Sequence, residues 1–452
     1  VQSKERRPTR AAAPMALAAL LWTLPLACNK AEPPTPPKET AAPAAESAPK
    51  GGSARTLALQ KPAGNPLVDR EIEALQKVAD KAGDKADPWI LLGRAWIKKA
   101  RESADPGYYL NASACADTVL GFEPKSRPAR DLRGLVLVEQ HAFADALDLA
   151  EQILIEDPDD LMALGTKSDA LLELGRFDEA VKSAQRMVDL KPNLPSYARA
   201  AHLRWLQGDL DAAKSIYRQA MDARDPRDPE PHAWVLVNAA KVFWHEGDIE
   251  GADRGFERAL GVLSDYPAAL VGRARVALAQ NDPKRAAELA ERAYKKSPLP
   301  LHAWVLGDAR KAAGDEKGAE EAYALVLKGR STDPRTVALF LAVKGKDADE
   351  ALALARKELG VRRDIYTRDT LAWALYRKGQ IADARVESEA AIALGTKDAS
   401  LLYHAGAIRI AAGDSEGGEK LVREALKTNP HFDPTGAAEA KKLLGEETHG
   451  AP

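Results

Sequence analysis

Between residues 161 and 188 the apolar positions fall on a helical period: Leu161, Leu164, Leu171, Leu172 and Leu174, then Phe177, Ala180, Val181, Ala184 and Val188 beyond Gly175. Apolar residues three and four apart share one side of an α-helix, so the pattern predicts two amphipathic helices joined by a glycine turn. No alternating β-branched run exceeds a few residues, and strands have no support.

The unit recurs. A turn residue followed five places later by a small one is found at Gly175 with Ala180, Gly208 with Ala213, and Gly247 with Ala252. It returns at Gly314 with Ala319, Gly379 with Ala384, and Gly413 with Gly418. Weaker copies are Gly107 with Ala112, His141 with Ala146, Asn281 with Ala286, and Lys346 with Ala351. The spacings of these turns are 34, 34, 33, 39, 34, 33, 32, 33 and 34 residues, and a near-constant period of this length marks a solenoid. Seven places before nearly every turn stands another small residue, such as Ala100, Ser168, Ala240 or Gly406, with Leu339 the exception. Small residues on both sides of a turn let two helices approach closely. Proline follows the turn by seventeen places at Pro124, Pro158, Pro192, Pro298 and Pro430, where it ends one pair and starts the next.

The order small residue, turn glycine, small residue, proline on a 34-residue period resembles the tetratricopeptide repeat over roughly residues 88–430. The resemblance implies an all-α, right-handed superhelical solenoid of about ten helix-turn-helix repeats with a C-terminal capping helix, expected over Thr435–Leu444. Repeat arrays of this kind are expected to be held by contacts between neighbouring repeats. The 39-residue spacing implies an insertion, placed at Asp225–Pro231 by its three prolines.

The chain ahead of the repeats reads differently. Lys4, Arg6, Arg7 and Arg10 precede an apolar stretch from Ala11 to Ala27 that ends at Cys28, the order of a secretory signal peptide. Its end, Leu24 to Cys28, resembles the lipobox of bacterial lipoproteins, whose cysteine is lipidated; Pro25 stands where that family prefers leucine. The division expected is a signal peptide at 1–27, a Pro/Ala-rich flexible tether at 28–66, the solenoid at 67–430, and a capping helix with a disordered tail at 431–452. Lipidation at Cys28 would place the protein in the bacterial envelope as an outer-membrane lipoprotein facing the periplasm.

Charge narrows the partners. Residues 1–27 hold four basic residues and one acidic, leaving 61 basic against 66 acidic beyond them. No basic stripe stands out, so nucleic acid is not an expected partner. Cys28 and Cys115 cannot make a disulfide framework, and Cys115 reads as a buried, inert thiol. The eight histidines are scattered without metal-site spacing, and neither a phosphate-cradling loop nor a nucleophile elbow occurs. The reading is a non-enzyme without metal, cofactor or small-molecule substrate.

In the tetratricopeptide family the first helix of each pair lines the concave face, at positions 13, 10, 6, 3 and 2 residues before the turn. Trp205, Trp234, Trp244, Trp304 and Trp373 fall on those offsets, Tyr376 joins them, and Lys241 and Arg275 are interleaved. These eight residues are the expected partner-binding set: rigid aromatics supply contact area and cations meet acidic groups. The family's carboxylate clamp is not reproduced; Asn238 and Lys241 resemble it only loosely. The function expected is a lipid-anchored adaptor or scaffold for a protein or extended peptide segment. The alternative is a permanent subunit of an envelope complex that packs through its convex face or ends, with the aromatics as filling.

Overall fold

Helix starts in this chain are set mainly by aspartate. Asp160, Asp209, Asp248, Asp282, Asp315 and Asp333 each stand one place before a helix and accept a backbone N–H from its first turn. Asp347, Asp364, Asp398, Asp414 and Asp433 do the same. Each such cap pairs a donor that helix geometry leaves free and contributes about 1 kcal/mol. The turn inside each pair is made by one residue in the left-handed region. Eight of the ten expected turn positions adopt it, including Gly175 (φ 77°), Gly208 (φ 76°), His141 (φ 60°) and Asn281 (φ 59°). Two do not. Gly107 has φ −57°, and at Lys346 the neighbours Gly345 (φ 62°) and Asp347 (φ 37°) take the left-handed role.

The computed structural model describes residues 51–64, 66–103 and 105–446. Among these residues the fold is all-α, with 23 α-helices, one short 3-10 turn at Leu327–Gly329 and no strand. Ten helix pairs follow one another: α3 (Ala86–Ser103) with α4 (Tyr108–Phe122), α5 (Arg127–Glu139) with α6 (Phe143–Glu156), and α7 (Leu161–Glu173) with α8 (Phe177–Leu190). Next come α9 (Leu194–Leu206) with α10 (Leu210–Asp222), α11 (Pro229–His245) with α12 (Ile249–Val262), and α13 (Pro267–Ala279) with α14 (Pro283–Lys296). The last pairs are α15 (Pro300–Ala312) with α16 (Glu316–Val326), α17 (Pro334–Lys344) with α18 (Ala348–Leu359), α19 (Ile365–Arg377) with α20 (Ile381–Ile392), and α21 (Ala399–Ala411) with α22 (Ser415–Thr428). Helix α23 (Pro434–Leu443) closes the array, as the capping helix was expected to.

The small residues do what their spacing implies. A Cβ added at Gly406 would stand 2.8 Å from the Gly418 carbonyl oxygen, and one at Gly418 would stand 2.6 Å from that of Gly406. The two helices of this last pair therefore touch backbone to backbone. Elsewhere alanine serves: Ala112, Ala180, Ala213, Ala252 and Ala384 are fully buried.

The N-terminal boundary differs from expectation. Cys28 and most of the expected tether lie outside the described residues, but α1 (Gly51–Ala58) falls within the tether's range and packs against α4. Its last turn and the loop beyond supply acceptors: Trp96 Nε1 and Asn111 Nδ2 donate to the carbonyls of Ala58 and Leu57, and Lys99 Nζ donates to that of Ala63. Ala54 and Ala58 are small enough to be fully buried there, which a count of large apolar residues misses. Helix α2 (Pro66–Ala82) then joins α3.

The insertion falls where the prolines place it, and part of it becomes helix. α11 runs 17 residues where its neighbours α9 and α13 run 13. The extra turn buries Glu230, whose Oε1 accepts from the Tyr266 hydroxyl at 3.1 Å.

Contacts between neighbouring repeats are not the whole of the packing. A Cβ at Gly175 would fall 2.8 Å from the Arg363 carbonyl oxygen, one at Gly208 would fall 2.2 Å from that of Gly395, and one at Gly247 would fall 2.5 Å from that of Thr428. These three turns thus rest on two inter-repeat loops and the C-terminal residue of α22, 188, 187 and 181 residues further along the chain. The Arg363 N–H donates to the Glu173 carbonyl at 2.6 Å, and Asn429 Nδ2 donates to the Trp244 carbonyl at 2.8 Å. Ile365, Ala391 and Leu401 join Phe143, Leu171, Phe177 and Leu206 in one buried cluster. The superhelix therefore winds tightly enough for its later repeats to seal against its earlier ones. The expectation of nearest-neighbour packing alone is corrected by this seam.

Candidate functional site

The seam turns the concave face into the wall of a lumen of about 1110 Å³. Trp205 from α9, Lys241 and Trp244 from α11, Arg275 from α13, Trp304 from α15 and Trp373 from α19 all line it. Two of the eight expected residues do not. Trp234, on the extra-long α11, is 42% exposed and is not among the residues that line the cavity. Tyr376 is half-buried and stacks on Trp373, with ring centroids 4.8 Å apart, without reaching the cavity.

The lumen tryptophans are packed rather than displayed. Trp205, Trp244, Trp304 and Trp373 keep 2–8% of their surface. Trp205 meets His202 and His245, Trp304 meets Phe340, and Trp373 is sandwiched among Tyr376, Tyr403 and His404. The indole Nε1 of both Trp304 and Trp373 is buried without a hydrogen-bond acceptor, a cost of about 1–3 kcal/mol for each group left dry and unpaired. Trp89 and Trp96, which sequence places off the concave offsets, are core residues of the N-terminal repeats.

All the acids of the wall but Glu173, whose Oε2 is buried without a hydrogen-bond donor, accept hydrogen bonds. Asp364, Asp398 and Asp433 are the N-caps of α19, α21 and α23, so their carboxylates accept from helix-start N–H groups. Asp364 also pairs with Arg335, and Asp398 lies 3.3 Å from His245 Nδ1. Asp308 accepts from the Tyr323 hydroxyl at 2.7 Å and from Lys344 Nζ at 2.5 Å. Asp369 accepts from His404 Nδ1 at 2.9 Å, Glu439 accepts from the Tyr403 hydroxyl at 2.8 Å, and Glu173 faces Arg362 at 3.7 Å. Burial pushes the Asp369 carboxyl above its usual range, opposed by His404.

The cations divide. Arg335, Arg368 and Arg377 are paired with Asp364, Glu387 and Glu439. The side chains of Lys241, Arg275, Arg363 and Lys441 make neither an ion pair nor a hydrogen bond among the described residues. Burial first, then the charge of Arg275, lowers the Lys241 ammonium to about 8. Arg275 is open to solvent yet ringed by protein; that desolvation draws it below its usual value against the opposing pull of Asp433, Asp308 and Asp398. Burial, with Lys241 second, lowers His202 to about 4, so its imidazole is neutral at pH 7.

Among the described residues no group of three or more His, Cys, Asp or Glu is placed to hold a metal ion, and no helix is long and apolar enough to cross a membrane. Burial pushes the Cys115 thiol well above the thiol range, so it is held protonated. Asn238, loosely clamp-like by position, spends its side-chain N–H on the Trp234 carbonyl of its own helix.

Tetratricopeptide-repeat family models match residues 132–195, 237–300 and 271–334, and a further one matches residues 194–225. The chain is similar to cellulose synthase operon protein C of Pseudomonas fluorescens, 32% identical over 140 residues, which is 28% of this chain and 10% of that protein. It is also similar to the tetratricopeptide repeat and J domain-containing co-chaperone DNJ1 of Fusarium oxysporum f. sp. lycopersici, 30% identical over 106 residues, 23% of this chain and 19% of that one. The chain thus spans a fifth or less of the length of these curated relatives. Among solved structures, the human IFIT1 dimer with PPP-AAAA aligns at 14% identity and a TM-score of 0.45, over 83% of this chain and 94% of that one. PilW, a type IV pilus biogenesis factor, aligns at 17% identity and a TM-score of 0.37, over 45% of this chain and 92% of its own.

Proposed function

We propose, from the premise that this solenoid is built of tetratricopeptide repeats, that the protein is an adaptor whose lumen holds a segment of another protein. The observation that carries the reading is the convergence of six side chains, picked out by repeat position alone, from five helices onto one cavity. A wall of indoles with unpaired cations between them suits an extended chain carrying apolar and acidic side chains. The reading includes anchorage through a lipid on Cys28 and a place in the bacterial envelope, supported by the apolar run that stops at Ala27.

Affinity purification from the native membrane tests it. A partner should co-purify with the wild-type chain and be lost when Trp244 is replaced by alanine in a variant that still folds. Cys28→Ser should move the protein from membranes to the soluble envelope fraction; unchanged retention of the processed variant removes the anchor from the reading. The second reading, a permanent subunit that packs through its convex face or ends, is favoured by the near-complete burial of the four lumen tryptophans. It requires stoichiometric co-purification with a folded partner that is indifferent to every lumen substitution.

A further inference from the structure

Resting on the adaptor reading, we infer that the lumen takes an extended acidic peptide threaded along its axis, with one carboxylate held between Lys241 and Arg275. Three independent features lead there. The first is the imbalance of the wall: six of its seven acids accept hydrogen bonds, three of them as helix caps, and the seventh, Glu173, faces Arg362 at 3.7 Å, whereas Lys241 and Arg275 have no ion-pair or hydrogen-bond partner among the described residues. The indole N–H groups of Trp304 and Trp373 also lack acceptors. Against these donors stands one unspent carboxylate oxygen, Glu173 Oε2, buried without a hydrogen-bond donor; the surplus of the wall is in donors, which fits a ligand rich in acceptors.

The second is the size of that imbalance. The lining acids and the lining cations are equal in number, so the lumen is not a basic channel of the kind that tracks a phosphate backbone. Two of the unpaired cations, Lys241 and Arg275 on the adjacent first helices α11 and α13, line the same cavity, and the Arg275 charge reaches the Lys241 ammonium. Such a pair is relieved by a localised negative charge and not by a long run of them.

The third is the seam. The turns at Gly175, Gly208 and Gly247 close the gap through which a ligand would enter an open solenoid from the side. A cavity of about 1110 Å³ is on the scale of ligand pockets of roughly 300–1,000 Å³ and has no room for a folded domain. What enters must be narrow and must enter end-on.

The probe is a fluorescein-labelled decapeptide of alternating glutamate and alanine, amidated at its C-terminus and followed by fluorescence anisotropy. The same peptide with glutamine for glutamate and a single-stranded RNA decamer are the competitors. The glutamate peptide should bind saturably and at least about tenfold more tightly than the glutamine peptide. Lys241→Met and Arg275→Met should each weaken it about tenfold, in proteins whose circular dichroism and melting temperature do not fall. Entry is read from the double variant Glu173→Cys, Arg363→Cys, at the seam contact where the Arg363 N–H donates to the Glu173 carbonyl at 2.6 Å. Oxidised and reduced forms should bind the peptide alike; loss of binding on oxidation means lateral entry and overturns threading. Equal affinity for the glutamine peptide, preference for the RNA, or no binding of the glutamate peptide overturns the acidic ligand. A natural partner that is lost with Trp244→Ala but ignores both methionine variants overturns the carboxylate site while leaving the adaptor standing, whereas no partner at all sinks the adaptor reading itself.

Discussion

Asn429 and Trp244 lie 185 residues apart in the chain, yet the Asn429 amide donates to the Trp244 carbonyl at 2.8 Å in a fully buried contact. The carbonyl belongs to the last turn of α11, where helix geometry leaves acceptors without a regular partner. The side chain of one repeat thus finishes a helix five repeats earlier. Asn429→Ala should lower the free energy of unfolding by about 1–2 kcal/mol and leave the helical content unchanged. A urea midpoint equal to wild type would mean that the seam carries no stability.

The seam can be separated from the ordinary demand of a left-handed turn. Gly208 and Gly314 have φ of 76° and 82°, but a Cβ at Gly208 meets the Gly395 carbonyl at 2.2 Å while one at Gly314 meets nothing within 4 Å. Both alanine variants carry the backbone strain, and only Gly208→Ala must also displace a loop. It should be less stable than Gly314→Ala by about 1–3 kcal/mol, read as the difference in denaturant midpoints at equal slope.

Tryptophans on two of the family's concave offsets, six and thirteen places before the turn, should behave oppositely. Trp373 is 2% exposed, stacked on Tyr376 and His404 and tilted against Tyr403, so Trp373→Ala should cost about 3–5 kcal/mol and lower the melting temperature sharply. Trp234 is 42% exposed, and its alanine variant should melt within a few degrees of wild type. Similar melting temperatures for the two variants would contradict the packing described for the lumen wall.

Lys241 makes binding of an acidic peptide depend on pH in a known direction. Its folded-state value is lowered from 10.5 to about 8, and only the ammonium form attracts a carboxylate. Affinity should be level below neutral pH and fall as pH rises past about 8. Lys241→Arg should abolish that falling limb, because guanidinium stays charged throughout. Stability runs the other way: the unfolded chain binds the proton more tightly between about 8 and 10.5, so the cost of charging Lys241 in the fold is relieved as pH rises through that window. An affinity that is flat to pH 10 would remove Lys241 from the site.

Local features were legible in the sequence where one repeat alone decides them. The period located the helix pairs and the insertion, and glycine, asparagine or histidine marked eight turns, because a left-handed residue and a close helix approach each leave a signature within 34 residues. At Lys346 the reading slipped by one because Gly345 supplies the left-handed residue and α17 stops early. Six of the eight chosen side chains converge, since the face a residue occupies follows from its distance to the turn. Trp234 failed although its position, 13 places before the turn, lies just past the four residues that lengthen α11; there it is 42% exposed. The seam was invisible for a different reason. It depends on superhelical pitch accumulated over five repeats, and a small rotation per repeat decides whether two windings meet. Gly395 and Asn429 in late inter-repeat loops were its only traces.

An open repeat array can lengthen or shorten by whole units, because each new unit needs only an end to stack on. Here Gly175, Gly208 and Gly247 must each land on a particular backbone position in the following winding. Deleting a repeat between α13 and α18 would slide every such landing by one unit and set glycines against side chains sized for other neighbours. Duplication there would do the same in the opposite sense. The winding behaves like a zip fastener whose teeth are numbered, tolerant of change beyond its closed stretch and intolerant within it.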